Sequence, residues 1–343
     1  MITSKHRRLI ILLISALFGL LSSLSLPAWS NSQSNQALQL AQQGQQSYNA
    51  GNFDQAIQLW QAAAKTYQQA GDQEGMNKSL INQSQALQEL GLYPKACKTL
   101  LQVFAVDNPT CHPAQIDKFL TTISQQRNSL SLTQATALRS LGEVLRKQGL
   151  LEASQKVLQL SLIALEKSPQ SGAVLLSLGN AERTLGNQIR DRWDYEQITA
   201  IIDQKSQDAA LAPLQQAFQY YKQAAATSAP PIVKIQALLN HYKLLLENQS
   251  WWREQTNRRI ASWSKFGESK LIARAKDFLA ELELKLSRDV QTLQSQIESS
   301  LLIFLHPVQP FTLRFTLLIF CSKMNKQIKL NLFWIQHCNK HVL

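Results

Sequence analysis

Glycine and proline are scarce, with 12 and 10 in 343 residues. Sheet proteins need turn residues at short intervals, so this scarcity points to a helical chain. Histidine is scarce as well, and none of His6, His112, His241, His306, His337 and His341 forms a helical metal pair with acidic help. There is no glycine-rich phosphate loop and no nucleophile elbow. Only four cysteines are present. No second close Cys or His pair accompanies Cys97 and Cys111, so their spacing is not a metal signature. Cys111 and His112 are sequence neighbours, and neighbours rarely face each other as a catalytic dyad. The chain is therefore read as a non-enzyme, with no cofactor and no metal.

Acidic residues are missing from both ends, and this distorts the charge. The formal net charge is +12. Residues 1–30 carry Lys5, Arg7 and Arg8, and residues 301–343 carry Arg314, Lys323, Lys326, Lys329 and Lys340, with no acid in either segment. Only +4 remains for residues 31–300. A mildly basic body gives no argument for nucleic acid.

Residues 1–30 read as a secretory signal with a positive start, an apolar core and small residues, Ala28 and Ser30, at its end. Cleavage is expected after Ser30, which makes the mature protein exported, periplasmic or extracellular. An uncleaved membrane anchor is the alternative, but the apolar core is shorter than the roughly 20 residues that span a bilayer. In an oxidising compartment a Cys97–Cys111 disulfide is expected, pinning a loop back onto the helix before it. The alternative is two unrelated thiols, one of them buried.

What recurs in the chain is a pair of helical patterns joined at Gly51. The first brings Gly44 to the crossing, and the second brings Ala56, Trp60 and Ala63 on one stripe. Gly91, Tyr93, Ala96 and Leu100 repeat Gly51, Phe53, Ala56 and Trp60 after a shift of forty. A third copy has Leu138, Gly142, Gly149, Ser154 and Leu158; a fourth has Leu178, Gly179, Ala217, Tyr221 and Ala224. A period of this size with two helices per unit marks a helical solenoid. Insertions are expected at about 106–130 and 187–210. The first should hold one extra helix with Ile116, Phe119, Leu120 and Ile123 on a face, followed by a Ser131/Gln134 capping box. A fifth, worn pair is expected at 232–247 and 251–266, with Trp251, Trp252 and Trp263 read as core packing and a sticky surface as the alternative. Residues 268–300 read as a long amphipathic helix that caps the array or pairs with another chain.

The spacing of Gly44, Ala56, Trp60 and Ala63 resembles a tetratricopeptide repeat. That resemblance implies an all-α fold: a right-handed α-solenoid of antiparallel helix pairs over residues 31–267. Phe53-Asp54-Gln55-Ala56 before Gly71-Asp72, with Lys95-Ala96-Cys97 and Leu178-Gly179-Asn180, is similar to the N-terminal repeats of bacterial CHAT-domain proteins. Those carry a caspase-like domain after the repeats, whose catalytic residues are a His and a Cys. Here that place holds the tail, and neither Cys321 nor Cys338 has the expected domain around it. The resemblance implies a repeat region without its enzyme, a non-catalytic regulatory fragment as the alternative to a free-standing scaffold.

In such arrays the first helix of each unit lines a concave groove. Here that implies Lys78, Gln85, Arg139, Glu143, Arg146, Lys147, Asn180 and Arg183 as groove residues. Basic groups outnumber acidic ones, and charge-assisted hydrogen bonds from Arg and Lys suit carboxylates. The expected partner is a protein or peptide, acidic or presenting its C-terminus. Membrane-surface association is a third, less favoured reading, and 268–300 offers a route to oligomers.

Residues 301–343 contain no Ala, Gly, Asp or Glu. Pro307, Pro310 and Arg314 within the apolar stretch count against a membrane helix. The tail is read as irregular, the product of translation past a truncation or frameshift. Sequencing the surrounding DNA checks this: a repeat-protein reading frame should continue beyond codon 300, and independent relatives of the tail itself would remove the idea.

Overall fold

The computed structural model describes residues 26–196, 204–265, 267 and 269–304. The start of the signal, the middle of the second insertion and residues 305–343 lie outside the described residues. Every regular element among those described is helical: α1 (Leu26–Asn49), α2 (Phe53–Gln69), α3 (Gln73–Glu89), α4 (Tyr93–Gln102), α5 (Pro113–Gln125), a 3-10 turn at Arg127–Ser129, α6 (Leu132–Lys147), α7 (Leu151–Leu165), α8 (Ser171–Glu196), α9 (Gln204–Ala226), α10 (Pro231–Lys265) and α11 (Ser269–Phe304). The helices up to α8 pack in sequence, consistent with a helical repeat. Residues up to Ala217 form one compact unit and those from Phe218 another.

In the first unit, the turns are set by glycine. Gly51, Gly71, Gly91 and Gly149 take positive φ of 79°, 75°, 71° and 80°. After each, the next amide reaches back five residues to the preceding helix: Asn52 to the Ser47 carbonyl, Asp72 to Tyr67, Leu92 to Leu87 and Leu150 to Leu145. This closure satisfies carbonyls that a helix end leaves without partners, and glycine adopts it without a Cβ penalty. Helix α4 ends in the same way, with Val106 bonding to Leu101, but Ala105 holds the position at φ 51°.

A second set of glycines sets the helix crossings. A Cβ on Gly44 would stand 2.7 Å from Nε1 of Trp60, and one on Gly142 2.5 Å from Cγ of Leu158. Gly75 meets the Tyr67 ring and Gly186 meets Leu214 in the same manner. Because the backbones come so close, side chains of the second helix reach carbonyls of the first. Trp60 Nε1 donates to the Ala41 carbonyl at 3.1 Å. Ser154 and Ser161 stand where Ala56 and Ala63 stand, and donate to the carbonyls of Gly142 and Ala135, each at 2.7 Å. All of Ala56, Trp60, Ala63, Ser154, Leu158 and Ser161 are fully buried.

The first insertion is part of the core. Ile116, Phe119, Leu120 and Ile123 of α5 are buried in one cluster with Leu80, Cys97, Leu101, Leu141 and Val157. Phe104 packs edge-on against Phe119 with centroids 5.1 Å apart. Ser131 and Gln134 close the capping box that starts α6.

Two boundaries differ from the sequence reading. The second insertion does not leave the helix at Asn187: α8 continues to Glu196, and Arg190 within it is 6% exposed. The fifth pair is one helix, α10, because Asn248-Gln249-Ser250 holds neither Gly nor Pro to end it.

In the second unit, α10 packs on α11. Ile235, Leu238 and Tyr242 share a core with Leu293 and Ile297, while Arg253 pairs with Glu283 at 2.6 Å. His241 lies 5.2 Å from the Phe218 ring, and burial pushes its imidazole below the usual range, against the opposing pull of Asp289. Trp251 is half-buried; the side chains of Trp252 and Trp263 lie outside those described.

Gly44→Ala should cost about 1–3 kcal/mol, because the indole of Trp60 must move. Gly51→Ala should cost about 1–2 kcal/mol through backbone strain alone, since open space surrounds it. Urea unfolding measures both, and only Gly44→Ala should red-shift tryptophan emission. An unchanged Gly44→Ala stability would contradict the close crossing.

Candidate functional site

The expected groove residues lie on α3, α6 and α8. Helix α3 touches α6, and α6 touches α8, so the three carriers are neighbours. Helix α1 also touches α3. These contacts join first helices to first helices and bypass the second helix of each pair.

On each carrier the apolar residues fix which stripe faces outward. In α6 the capping box sets the start, and Ala135, Leu138, Leu141, Gly142 and Leu145 are then buried. Arg139, Glu143 and Arg146 follow one another at spacings of four and three on an adjoining stripe. In α3, Leu80, Ile81, Ser84 and Leu87 are buried, leaving Lys78 exposed and Gln85 half-buried, two turns apart. In α8, Leu178 and Ala181 are buried, while Asn180 and Arg183 are half-buried.

The charges on these stripes are unequal. Lys78 pairs with Glu74 at 3.2 Å, but both are more than half exposed, so this pair contributes little. Arg146 donates through Nε and Nη2 to Oε2 of Glu143, at 3.1 and 2.7 Å. Lys147 is exposed. Arg139 is half-buried, and loss of water pushes its guanidinium below the ordinary value, with Glu143 acting the other way. Among the described residues, no group accepts a hydrogen bond from Arg139 or pairs with it.

Two links between first helices escape the sequence pattern. Thr133 donates to Oε1 of Glu74 at 2.5 Å, joining the N-terminal turns of α6 and α3 and holding the Glu74 carboxyl below its usual range. Tyr48 donates to Oε1 of Glu89 at 3.2 Å, joining the C-terminal turns of α1 and α3. Burial first, and Glu89 second, push the Tyr48 phenol up to about 12. Glu182 is buried beside Arg183 in α8, where burial raises its carboxyl above the usual range although Gln155 donates to it at 2.8 Å. The sequence signal for the first link is a threonine in the first turn of a helix, which is too common to act on.

Away from the groove, Cys97 and Cys111 form a disulfide with Cα atoms 6.2 Å apart. Cys97 is fully buried on α4, and Cys111 is half-buried just before α5. Gln115 accepts from both the amide and the hydroxyl of Thr110, which closes the same loop. Among the described residues there is no group of His, Cys, Asp and Glu that could hold a metal ion, and no helix long and apolar enough to cross a membrane. No protein-family model matches the chain, and no curated protein matches it.

The disulfide closes a short loop, and a closure of this length contributes about 3 kcal/mol through the unfolded state. Cys97→Ser with Cys111→Ser should lower the unfolding free energy by that amount, read as a fall in the urea midpoint, while leaving the helical circular dichroism unchanged at low urea. A midpoint that does not move would mean that α5 is held by its apolar contacts alone.

Proposed function

We propose that this protein is an exported interaction scaffold that binds an acidic peptide segment along α3, α6 and α8. The observations that support this reading are the contacts α3 to α6 to α8 and, on α6, a half-buried Arg139 with no hydrogen-bond acceptor among the described residues. A guanidinium has five donors in a fixed fork that matches a carboxylate. Removing it from water without an anionic oxygen is costly, and a ligand carboxylate offsets that cost.

The wider fold proposal is a right-handed, tetratricopeptide-like solenoid of antiparallel helix pairs. It is supported by the turn glycines at 51, 71 and 91, spaced twenty apart. It is also supported by the order of contacts between α1 and α2. Ala37 clusters with Ala63 and Tyr67, Ala41 lies beside Trp60, and Tyr48 packs on Phe53, so rising numbers on one helix meet falling numbers on the other. Export is supported by the Cys97–Cys111 disulfide, since such bonds persist in oxidising compartments.

A panel of acidic and neutral peptides, with free and amidated C-termini, tests the groove by fluorescence anisotropy. Acidic peptides should bind, and Arg139→Ala with Arg183→Ala should weaken them by about tenfold or more, with the melting transition retained. Unchanged binding in that variant removes this groove. Equal binding of neutral peptides removes the acidic preference.

A further inference from the structure

Glu143 sits between two guanidinium groups in the helix and accepts hydrogen bonds from only one. Its Oε2 takes both Nε and Nη2 of Arg146, and the two side chains are 16% exposed for Arg146 and 19% for Glu143. Arg139 lies four residues before Glu143, within the reach of a helical pair, yet makes no hydrogen bond or ion pair with it. Physical reasons favour this choice. A carboxylate N-terminal to its cation is the better order on a helix. Arg146 also lies in the last turn of α6, where the helix end favours a cation.

The outcome is one guanidinium paired and one without an acceptor, two turns apart. A guanidinium carries only donors, so neither can satisfy the other. Had Glu143 turned to Arg139, the half-buried cation would be neutralised inside the chain and the more C-terminal Arg146 would face the ligand. The two arrangements use the same three side chains and differ only in which arginine is occupied.

We propose that Glu143 keeps Arg146 occupied so that Arg139 remains the seat for a single carboxylate of an acidic peptide. This rests on the groove reading given above. Arg139 is the group that touches the ligand, and Arg146 is a positioning residue that acts on the ligand through Glu143. Removing Arg146 releases Glu143 to fold back onto Arg139 and close the seat. Neutralising Glu143 opens a second seat at Arg146.

The test uses the full chain and a short oligoglutamate peptide with a free carboxyl terminus, read by fluorescence anisotropy. Arg139→Ala should weaken binding by about tenfold. Arg146→Ala should weaken it by a few fold, although its guanidinium is not a ligand contact, and adding Glu143→Gln should restore wild-type binding. Glu143→Gln alone should tighten it. Arg146→Gln keeps the aliphatic stem and replaces Arg146→Ala if the latter unfolds. If wild-type protein does not bind oligoglutamate, the groove reading fails and this inference with it. If wild type binds and Arg139→Ala weakens it, but the double variant binds no better than Arg146→Ala, the division of the cluster by Glu143 is overturned. Tighter wild-type binding to a phosphoserine peptide than to oligoglutamate would overturn the single-carboxylate seat.

Discussion

The close crossing of paired helices at glycine is the constraint on which the first unit depends. At Gly44 and Gly142 a single hydrogen stands where any other residue would place a carbon inside the opposing side chain. The opposing residues, Trp60 and Leu158, are fully buried and fill the space that the glycines leave. Close approach has a second effect. It brings backbone carbonyls of the first helix within reach of the second, and Trp60, Ser154 and Ser161 donate to them. A buried hydroxyl without a partner would be a net cost, and at Ser154 and Ser161 the partner is a carbonyl of the neighbouring helix, which the close approach supplies. Packing and hydrogen bonding thus support the same geometry.

With the pairs locked in this way, the outward stripes of the first helices follow. Apolar residues of α3, α6 and α8 are committed inward, and what remains outward is polar and on balance basic. The links from Thr133 to Glu74 and from Tyr48 to Glu89 tie like ends of α6 and α3, and of α1 and α3, together. Arg139 is half-buried, a setting poorer in water than an open surface. Electrostatic attraction is stronger there than at the surface, so Arg139 gains more from an anionic partner than the exposed Lys78 or Lys147 would.

Much of the helical plan was legible because each feature has a local signature. The turn glycines declare themselves by spacing, and the capping box by Ser131 and Gln134. The face of α5 declares itself by Ile116, Phe119, Leu120 and Ile123. The misreadings fall where the signature is weak. The charged run after Gly186 and the polar run Asn248-Gln249-Ser250 suggest boundaries, yet these residues lower helix propensity only slightly, and neither run itself holds a Gly or Pro to stop the helix. The site was legible at the level of which residues face outward and no further. That Arg146 is occupied by Glu143 while Arg139 is not depends on rotamers and on water exclusion by neighbouring helices. Spacing alone allows either pairing.

The measurement that bears most directly on the scaffold reading is an NMR titration that follows arginine Nε–Hε signals as an acidic peptide is added to the whole protein. The account predicts a large shift for Arg139, with Arg253 and Arg258 on α10 unaffected. Shifts confined to α10, or no shift at Arg139 at saturating peptide, would contradict it.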